Sequence, residues 1–185
     1  AMTWSARQYS AFENERTRPV RDLVAALPNE DVATAIDLGC GPGNSTEVLV
    51  SRYPRAEVTG MDSSDDMVQA ARKLGFDVQA PADDGAGAIA AVHSLDYLRF
   101  LQDAHEDWVK LPGDWGGEVV SNVFVREPNA LRGVLAQAAR YLADGSCPVG
   151  PHTWHSAYWS AQCAIAGADR IAAAHQIREC SLRSG

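Results

Sequence analysis

Apolar residues follow two alternating patterns through the first 80 positions of the chain. Short apolar runs predict buried strands, and apolar residues spaced three or four apart predict helices. The predicted strands cover residues 35–38, 56–61 and 76–80, and the predicted helices cover residues 19–27, 44–52 and 64–74. Strands that alternate with helices are typical of a parallel sheet. We therefore expect an α/β fold of three layers, in which helices flank a mostly parallel sheet of at least three strands.

The first helix is expected to begin near Pro19, since proline suits the first turn of a helix, and to end at Leu27 before Pro28. Its apolar residues Val20, Leu23, Val24 and Leu27 share one face and predict burial against the sheet.

Beyond residue 81 the pattern changes to helices and loops. Residues 88–93 and 96–109 have helical spacing, and residues 111–117 form a turn-rich segment. The C-terminal half of the chain is therefore expected to be rich in helix.

A glycine-rich turn follows the first predicted strand. Asp37 lies at the end of the strand, and Gly39, Gly41 and Gly43 precede a helix that begins near Asn44. Glycine reaches positive φ without a Cβ clash, and its missing side chain lets a ligand approach the amides at a helix N-terminus. A carboxylate beside such a turn suits an ammonium group. The turn is therefore predicted to bind a ligand.

A second acidic residue, Asp62, ends the next predicted strand. It lies about 20 residues after the glycine turn, where an acidic side chain in a βαβ unit binds the hydroxyls of a ribose. Position 44 is Asn and the third glycine already stands at 43, so the spacing differs from the dinucleotide fingerprint. The pattern favours a nucleoside without pyrophosphate. An ordinary glycine-rich turn with a capping aspartate is the alternative.

Residues 3–72 resemble Rossmann-type methyltransferases that use S-adenosylmethionine, and in particular the trans-aconitate methyltransferases. The stretches that carry the resemblance are residues 4–9, 12–19, 37–46 and 59–64. The resemblance implies that the turn holds the methionine end of the cofactor, that Asp62 holds the ribose and that Ser63 lies near the adenine. The implied cofactor-binding residues are Asp37, Gly39, Gly41, Gly43, Asn44, Asp62 and Ser63.

The same resemblance implies an N-terminal cap over the substrate, formed by Trp4, Tyr9 and Arg18. A helix packed on the domain is the alternative for these three residues. Asp83 or Asp84 would correspond to the acidic residue that meets the adenine amine. No catalytic residue is assigned.

Residues from about 73 to 182 resemble a second family, the acetylpolyamine amidohydrolases of the arginase and deacetylase fold. The stretches that carry this resemblance are residues 90–93, 97–101, 113–116, 123–126 and 154–169. In that family a zinc ion held by two aspartates and a histidine activates water for amide hydrolysis. Those ligands lie downstream of the matched region. The loop that matches residues 113–129 contributes to a dimer interface in that family, so a homo-oligomer is one expectation.

The residues themselves do not predict a metal site. His152 and His155 would share a helix face, but no carboxylate or cysteine at ligand spacing completes a set. Surface or capping histidines are the better interpretation, so zinc is not expected as a cofactor.

Composition and charge restrict the partners. The chain is 46% hydrophobic and 22% charged, as in globular domains. A net charge of -8 argues against nucleic acid or an anionic membrane as partner, and favours a small-molecule ligand. The four cysteines are widely spaced, which is typical of reduced thiols and predicts a cytoplasmic location.

Together the two resemblances indicate an artificial or recombined chimera, joined within one helix between Asp66 and Lys73. Residues 1–72 would form a cofactor-binding βαβ segment, and residues 73–185 an amidohydrolase-like segment packed into the same continuous domain. Three functional hypotheses remain open. They are a methyltransferase-like protein whose parental reaction is methyl transfer to a small carboxylate such as trans-aconitate, a fragment of a zinc-dependent deacetylase-like amidohydrolase, and a folded but catalytically silent chimera.

Overall fold

A computed structural model describes residues 13–28, 30–125 and 132–183, with side chains described from residue 15 to residue 176 within these ranges. These ranges contain seven helices and three strands. In chain order they are α1 (Glu13–Ala25), β1 (Thr34–Leu38), α2 (Asn44–Arg52), β2 (Glu57–Met61), α3 (Asp65–Lys73), β3 (Val78–Gln79), α4 (Gly87–Val92), α5 (Leu95–Val109), α6 (Val134–Tyr141) and α7 (Thr153–Arg183).

The chain divides into two compact units. Of the described residues, those within 1–84 and 159–185 form the first unit, and those within 85–158 form the second. The predicted segments 1–72 and 73–185 concern sequence relationship, and their packing into one domain remains a prediction. The helix α3 runs without interruption through the range where the two resemblances meet.

The first unit is built on a parallel sheet of order β1-β2-β3. Its register pairs Thr34 with Glu57 and Leu38 with Met61, and then Met61 with Gln79. The carboxyl ends of the three strands therefore lie side by side at one edge of the sheet. The alternation of strands and helices confirms the predicted α/β fold, and the chain beyond β3 is rich in helix as expected.

The core of the first unit lies behind that edge. It contains the buried side chains of Cys40, Val68, Ala71 and Val78, with Phe76 packed against them. Asp65 and Asp66 occupy the first turn of α3, and Arg72 and Lys73 the last, as the helix dipole favours. Gly75 follows the helix with φ +88° and donates its amide to the carbonyl oxygen of Arg72 at 3.0 Å. Gly75 therefore ends the helix directly after its C-cap, Leu74.

The predicted start of the first helix was wrong. The helix α1 begins at Glu13, so Pro19 lies inside it rather than at its first turn. Residues 13–18 include two glutamates and two arginines, whose helix propensity extends the helix toward the N-terminus.

The predicted burial of this helix against the sheet was also wrong. Leu23 and Leu27 are 67% and 43% exposed, while Val24 and Thr17 are buried. Among the described residues α1 packs against α2. This contact covers one narrow face of α1.

The third strand is shorter than predicted. Val78 and Gln79 pair with β2, whereas the prediction covered residues 76–80. Phe76 instead packs into the core, and Arg72 Nε donates to the carbonyl oxygen of Val78 at 2.8 Å. The packing of Phe76 in the core places this residue outside the ladder, which contains Val78 and Gln79.

The second unit has its own core, formed by α5, α6 and a bridge between Val119 and Val149. Leu98 and Trp108 are buried, in agreement with the helical pattern of the sequence. The indole nitrogen of Trp108 donates to the carbonyl oxygen of Trp115 at 3.2 Å, which holds the turn-rich loop against α5. The last part of the segment 113–129, expected to support an oligomer, lies outside the described residues.

Candidate functional site

The carboxyl edge of the sheet brings together the two acidic residues that the sequence singled out. Asp37 lies in β1 and Asp62 directly after β2, and the register places the ends of these strands next to each other. The amides of Gly39 and Cys40 donate to the carbonyl oxygen of Met61 at 2.7 and 3.1 Å. The glycine turn, residues 39–43, is therefore fastened to the end of β2.

Asp37 is held by the first turn of α2. Its Oδ2 atom accepts hydrogen bonds from Ser45 Oγ at 2.7 Å and from Thr46 Oγ1 at 2.8 Å. Thr46 is completely buried, so this carboxylate satisfies a hydroxyl group that water does not reach. Among the described residues both of these hydrogen bonds go to Oδ2, and the second carboxylate oxygen, Oδ1, also has acceptor capacity.

Asp62 links the glycine turn to the start of α3. Its Oδ2 atom accepts the amide hydrogen of Gly41 at 2.9 Å, and its Oδ1 atom accepts that of Ser64 at 2.8 Å. Each carboxylate oxygen has a further lone pair. The half-buried Asp62 therefore shapes the turn and keeps acceptor capacity at the sheet edge.

The three glycines of the turn all have positive φ, of +72°, +55° and +106° for Gly39, Gly41 and Gly43. A Cβ atom on Gly39 would meet no heavy atom within 4 Å, so space is open beside this residue. A Cβ atom on Gly43 would lie 2.8 Å from Cδ2 of Phe76. Packing on Phe76 therefore requires glycine at position 43 independently of any ligand.

Cys40 lies inside the turn and is 3% exposed. Its burial, and then the negative charges of Asp37 and Asp62, raise the pKa of the Cys40 thiol to about 12. The thiol is therefore protonated at neutral pH and is a poor nucleophile. Its Sγ atom would lie 2.9 Å from a Cβ on Gly60, so Cys40 acts as a packing residue between the turn and β2.

The structure also describes three of the other predicted site residues. Asn44 is the first residue of α2 and is half-buried, and Ser63 is exposed beside Asp62. Arg18 is exposed on α1, while Trp4 and Tyr9 lie outside the described residues. The predicted substrate cap therefore stays a prediction.

The sequence interpretation missed the contacts that support the site. The hydroxyl residues Ser45 and Thr46 stand in the first turn of a helix, where side chains of this type commonly bind neighbouring groups, so a local signal existed. No local signal marks Gln162, which is completely buried in α7 and whose Oε1 atom accepts the amide hydrogen of Asp84 at 3.2 Å.

The histidines do not assemble into a metal site. His152 precedes α7 and His155 lies within it, and both are exposed. Within the described ranges no group of three or more His, Cys, Asp or Glu side chains is placed to hold a metal ion. The same ranges contain no helix that is long and apolar enough to cross a membrane.

Comparison with known proteins confirms both resemblances. One segment is 59% identical over 71 residues to the trans-aconitate 2-methyltransferase of Rhizobium meliloti (strain 1021), covering 38% of this chain and 28% of that protein. Another is 65% identical over 105 residues to the acetylpolyamine amidohydrolase of Burkholderia pseudomallei (strain 1710b), covering 57% of this chain and 31% of that protein. The chain thus spans less than a third of the length of these relatives.

A solved structure gives the same second relationship. The crystal structure of acetylpolyamine aminohydrolase from Burkholderia pseudomallei superposes with a TM-score of 0.52 at 63% identity, over 56% of this chain and 30% of that chain.

Residues 35–145 match the family described as methyltransferase domain. This match begins in β1, includes the glycine turn and Asp62, and spans more than half of the 185 residues. The chain therefore belongs to the methyltransferase domain family, and it carries in addition a segment similar to acetylpolyamine amidohydrolases.

Proposed function

We propose that the chain binds S-adenosylmethionine, and its demethylated product S-adenosylhomocysteine, at the carboxyl edge of the sheet. The observation that carries the proposal is the pair of carboxylates, Asp37 and Asp62, on either side of a positive-φ glycine turn that is open at Gly39. Ligands of open parallel sheets bind outside the carboxyl ends of the strands. Membership in the methyltransferase domain family agrees with a cofactor of this class.

The groups at the carboxyl edge of the sheet would each bind a different part of the cofactor. The Oδ1 atom of Asp37 would accept a hydrogen bond from the ammonium group of the methionine end. The remaining lone pairs of Asp62 would accept the ribose hydroxyls, and Ser63 would lie near the adenine. The space beside Gly39 would admit the cofactor against the backbone, with Gly41, Gly43 and Asn44 completing the turn.

The bound sulfonium would supply the methyl group, and the protein would contribute position. Methyl transfer requires an in-line approach of the acceptor, which depends on orientation more than on proton transfer. Methyl transfer to a small carboxylate such as trans-aconitate is the parental reaction that the relatives suggest. Because another segment of the chain is similar to acetylpolyamine amidohydrolase rather than to these methyltransferases, we propose that catalysis is impaired or absent while cofactor binding persists.

The amidohydrolase hypothesis is weaker. A segment similar to acetylpolyamine amidohydrolase supports a shared origin with those enzymes. Hydrolysis by that route needs a cluster of metal ligands, and none is formed by the residues that the structure describes. The segment is better interpreted as a structural part of the chimera.

Isothermal titration with S-adenosylhomocysteine tests the proposal. We expect micromolar binding, a free energy of about 8 kcal/mol, for the wild-type chain. Asp62→Asn removes the charge and one acceptor, so binding should weaken by at least about tenfold, since hydrogen bonds to charged groups contribute roughly 1.5–3 kcal/mol.

Asp65→Asn is the matched control, because Asp65 is exposed in the first turn of α3, three positions from Asp62. Circular dichroism checks that each variant is folded. A folded wild-type protein that shows no heat of binding at millimolar ligand would refute the proposal.

A further inference from the structure

The helix α7 is anchored on the same sheet that carries the proposed cofactor site. Gly167 lies so close to β1 that a Cβ on it would be 2.8 Å from Cδ2 of Leu38. Arg170 Nη2 is 2.8 Å from Glu57 Oε1, at the start of β2. Two contacts therefore place Gly167 and Arg170 of α7 beside β1 and β2 within the first unit.

One side chain of α7 reaches the loop after β3. Gln162 is 0% exposed, and its Oε1 atom accepts the amide hydrogen of Asp84, 78 positions away in sequence. Burial of an amide side chain is costly unless it forms hydrogen bonds, so this contact defines where the loop lies. Asp84 itself is exposed, and the hydrogen bond therefore acts through the backbone of the loop.

The loop after β3, residues 80–84, lies at the same carboxyl edge of the sheet as the glycine turn and Asp62. The glycine turn follows β1, Asp62 follows β2, and residues 80–84 follow β3, in the spatial order of the strands. The amide of Asp62 donates to the carbonyl oxygen of Gln79 at 3.3 Å, so the loop starts beside Asp62. An extended ligand with its amino acid end at the turn and its ribose at Asp62 would place its base at this loop.

Cys163, next to Gln162 in α7, is 5% exposed. Burial raises the pKa of its thiol, and the negative charge of Asp62 raises it further.

We infer that α7, which lies in the amidohydrolase-like part of the chain, supplies a structural part of the cofactor site, with Gln162 as the positioning residue that holds residues 80–84 against the base of the ligand. The inference rests on the proposed function. Gln162 acts through the Asp84 backbone and does not touch the ligand. The chimera would thereby use a helix of one parental segment to complete a site of the other.

Base discrimination tests this role, because a general loss of stability leaves it unchanged. S-adenosylhomocysteine and S-inosylhomocysteine differ only at the edge of the base. In the wild-type chain the loop should favour the adenine form by about tenfold, the equivalent of one hydrogen bond. In Gln162→Met, which keeps the length of the side chain but lacks the acceptor, the ratio of the two dissociation constants should fall toward one.

Three further variants sharpen the test. Gln162→Glu keeps an acceptor oxygen and should restore most of the ratio. Gln176→Met is the matched control, since it makes the same substitution at an exposed position of the same helix, and it should retain the wild-type ratio. If Gln162→Met does not fold, Asp84→Pro removes the donor from an exposed loop position and should lower the ratio in the same way.

The outcomes separate the two proposals. A wild-type chain that binds neither ligand overturns the proposed function and this inference with it. A wild-type chain that discriminates between the bases, while Gln162→Met or Asp84→Pro discriminates equally well, overturns the inference alone. A wild-type chain that binds both ligands equally also overturns the inference, since the loop then does not contact the base.

Discussion

Glycine is required at positions 39 and 43 for different reasons, and alanine substitutions should separate them. Both residues have positive φ, which costs an alanine about 1–2 kcal/mol. At Gly39 the added Cβ meets open space, so this backbone strain is the whole cost. At Gly43 the Cβ would also lie 2.8 Å from Cδ2 and 3.0 Å from Cε2 of Phe76, and such overpacking adds about 1–3 kcal/mol.

We therefore expect Gly39→Ala to lower the free energy of unfolding by about 1–2 kcal/mol and Gly43→Ala by about 2–5 kcal/mol. The two substitutions should rank in the opposite order in their effect on ligand affinity, once that affinity is corrected for the fraction of folded protein. Gly39→Ala places a methyl group in the space proposed for the cofactor and should weaken S-adenosylhomocysteine binding by at least about tenfold, about 1.4 kcal/mol.

A double-mutant cycle isolates the clash. Phe76→Ala removes the ring atoms that the new Cβ would meet, so it should relieve the overpacking part of the Gly43→Ala cost. The coupling free energy should be about 1–3 kcal/mol, within the usual range for residues in contact. Urea denaturation followed by circular dichroism measures all four proteins. Equal destabilisation by the two glycine substitutions, or a coupling near zero, would refute the packing argument.

Three other predictions concern the first unit. Asp37→Ala removes the acceptor of the buried Thr46 hydroxyl, so it should lower the free energy of unfolding by about 1–3 kcal/mol in urea denaturation. Asp31→Ala breaks an exposed ion pair with Arg55 and should lower it by less than about 1 kcal/mol. Similar losses in the two variants would contradict the burial argument. Because the pKa of Cys40 is raised from its ordinary value of 9.0 to about 12, the folded thiol keeps its proton while the unfolded thiol loses it, so the contribution of Cys40 to stability is full below pH 9 and is lost as the pH rises toward 12. Urea midpoints between pH 8 and pH 11 should therefore fall more steeply for the wild type than for Cys40→Ala, and parallel curves would show that the thiol is not perturbed. Gly167→Ala should leave the free energy of unfolding unchanged or raise it in a thermal melt. Alanine has a higher helix propensity by up to about 1 kcal/mol, and the end of the half-exposed Leu38 side chain can move aside. A loss of stability above about 1 kcal/mol would mean that the contact between α7 and β1 is rigid.

Local patterns were sufficient to predict the part of the fold that carries the site. The apolar run before Asp37 and the glycines after it require a strand, a tight turn and a helix, because few other conformations satisfy their side chains and φ angles. The helices α2, α3, α4 and α5 followed from the same periodicity. The parallel direction of the strands also followed, since successive βα units place their strands in a parallel sheet, whereas the order β1-β2-β3 comes from the structure.

Non-local contacts could not be read from the sequence. Pro19 suggested a helix start, yet the residues before it extend α1, and the burial of its apolar side chains depends on tertiary contacts such as the one with α2. The local pattern assigned Phe76 to a strand, whereas in the structure its side chain packs against the core of the first unit. The hydrogen bond of Gln162 to Asp84 spans 78 positions and has no periodic signature.

The two segments of this chain also illustrate what a fold needs. The helix α3, in which the two resemblances meet, keeps Met67, Val68 and Ala71 buried on one face and carries opposite charges at its two ends. The apolar face supplies side chains to the core, and the end charges stabilise the helix. Both hold whichever parent supplied each residue. A binding site demands more, because it depends on specific side chains such as Asp62 at a defined distance from the glycine turn.

The central claim is that the carboxyl edge of the sheet binds the cofactor, and a residue-resolved titration tests it most directly. We would follow the amide resonances of the isotopically labelled chain by NMR as S-adenosylhomocysteine is added. The account predicts saturable shifts at Gly39, Gly41, Asp62 and Ser63 and in residues 80–84, with resonances of the second unit unchanged. Shifts confined to other parts of the chain, or no saturable shift at all, would contradict it.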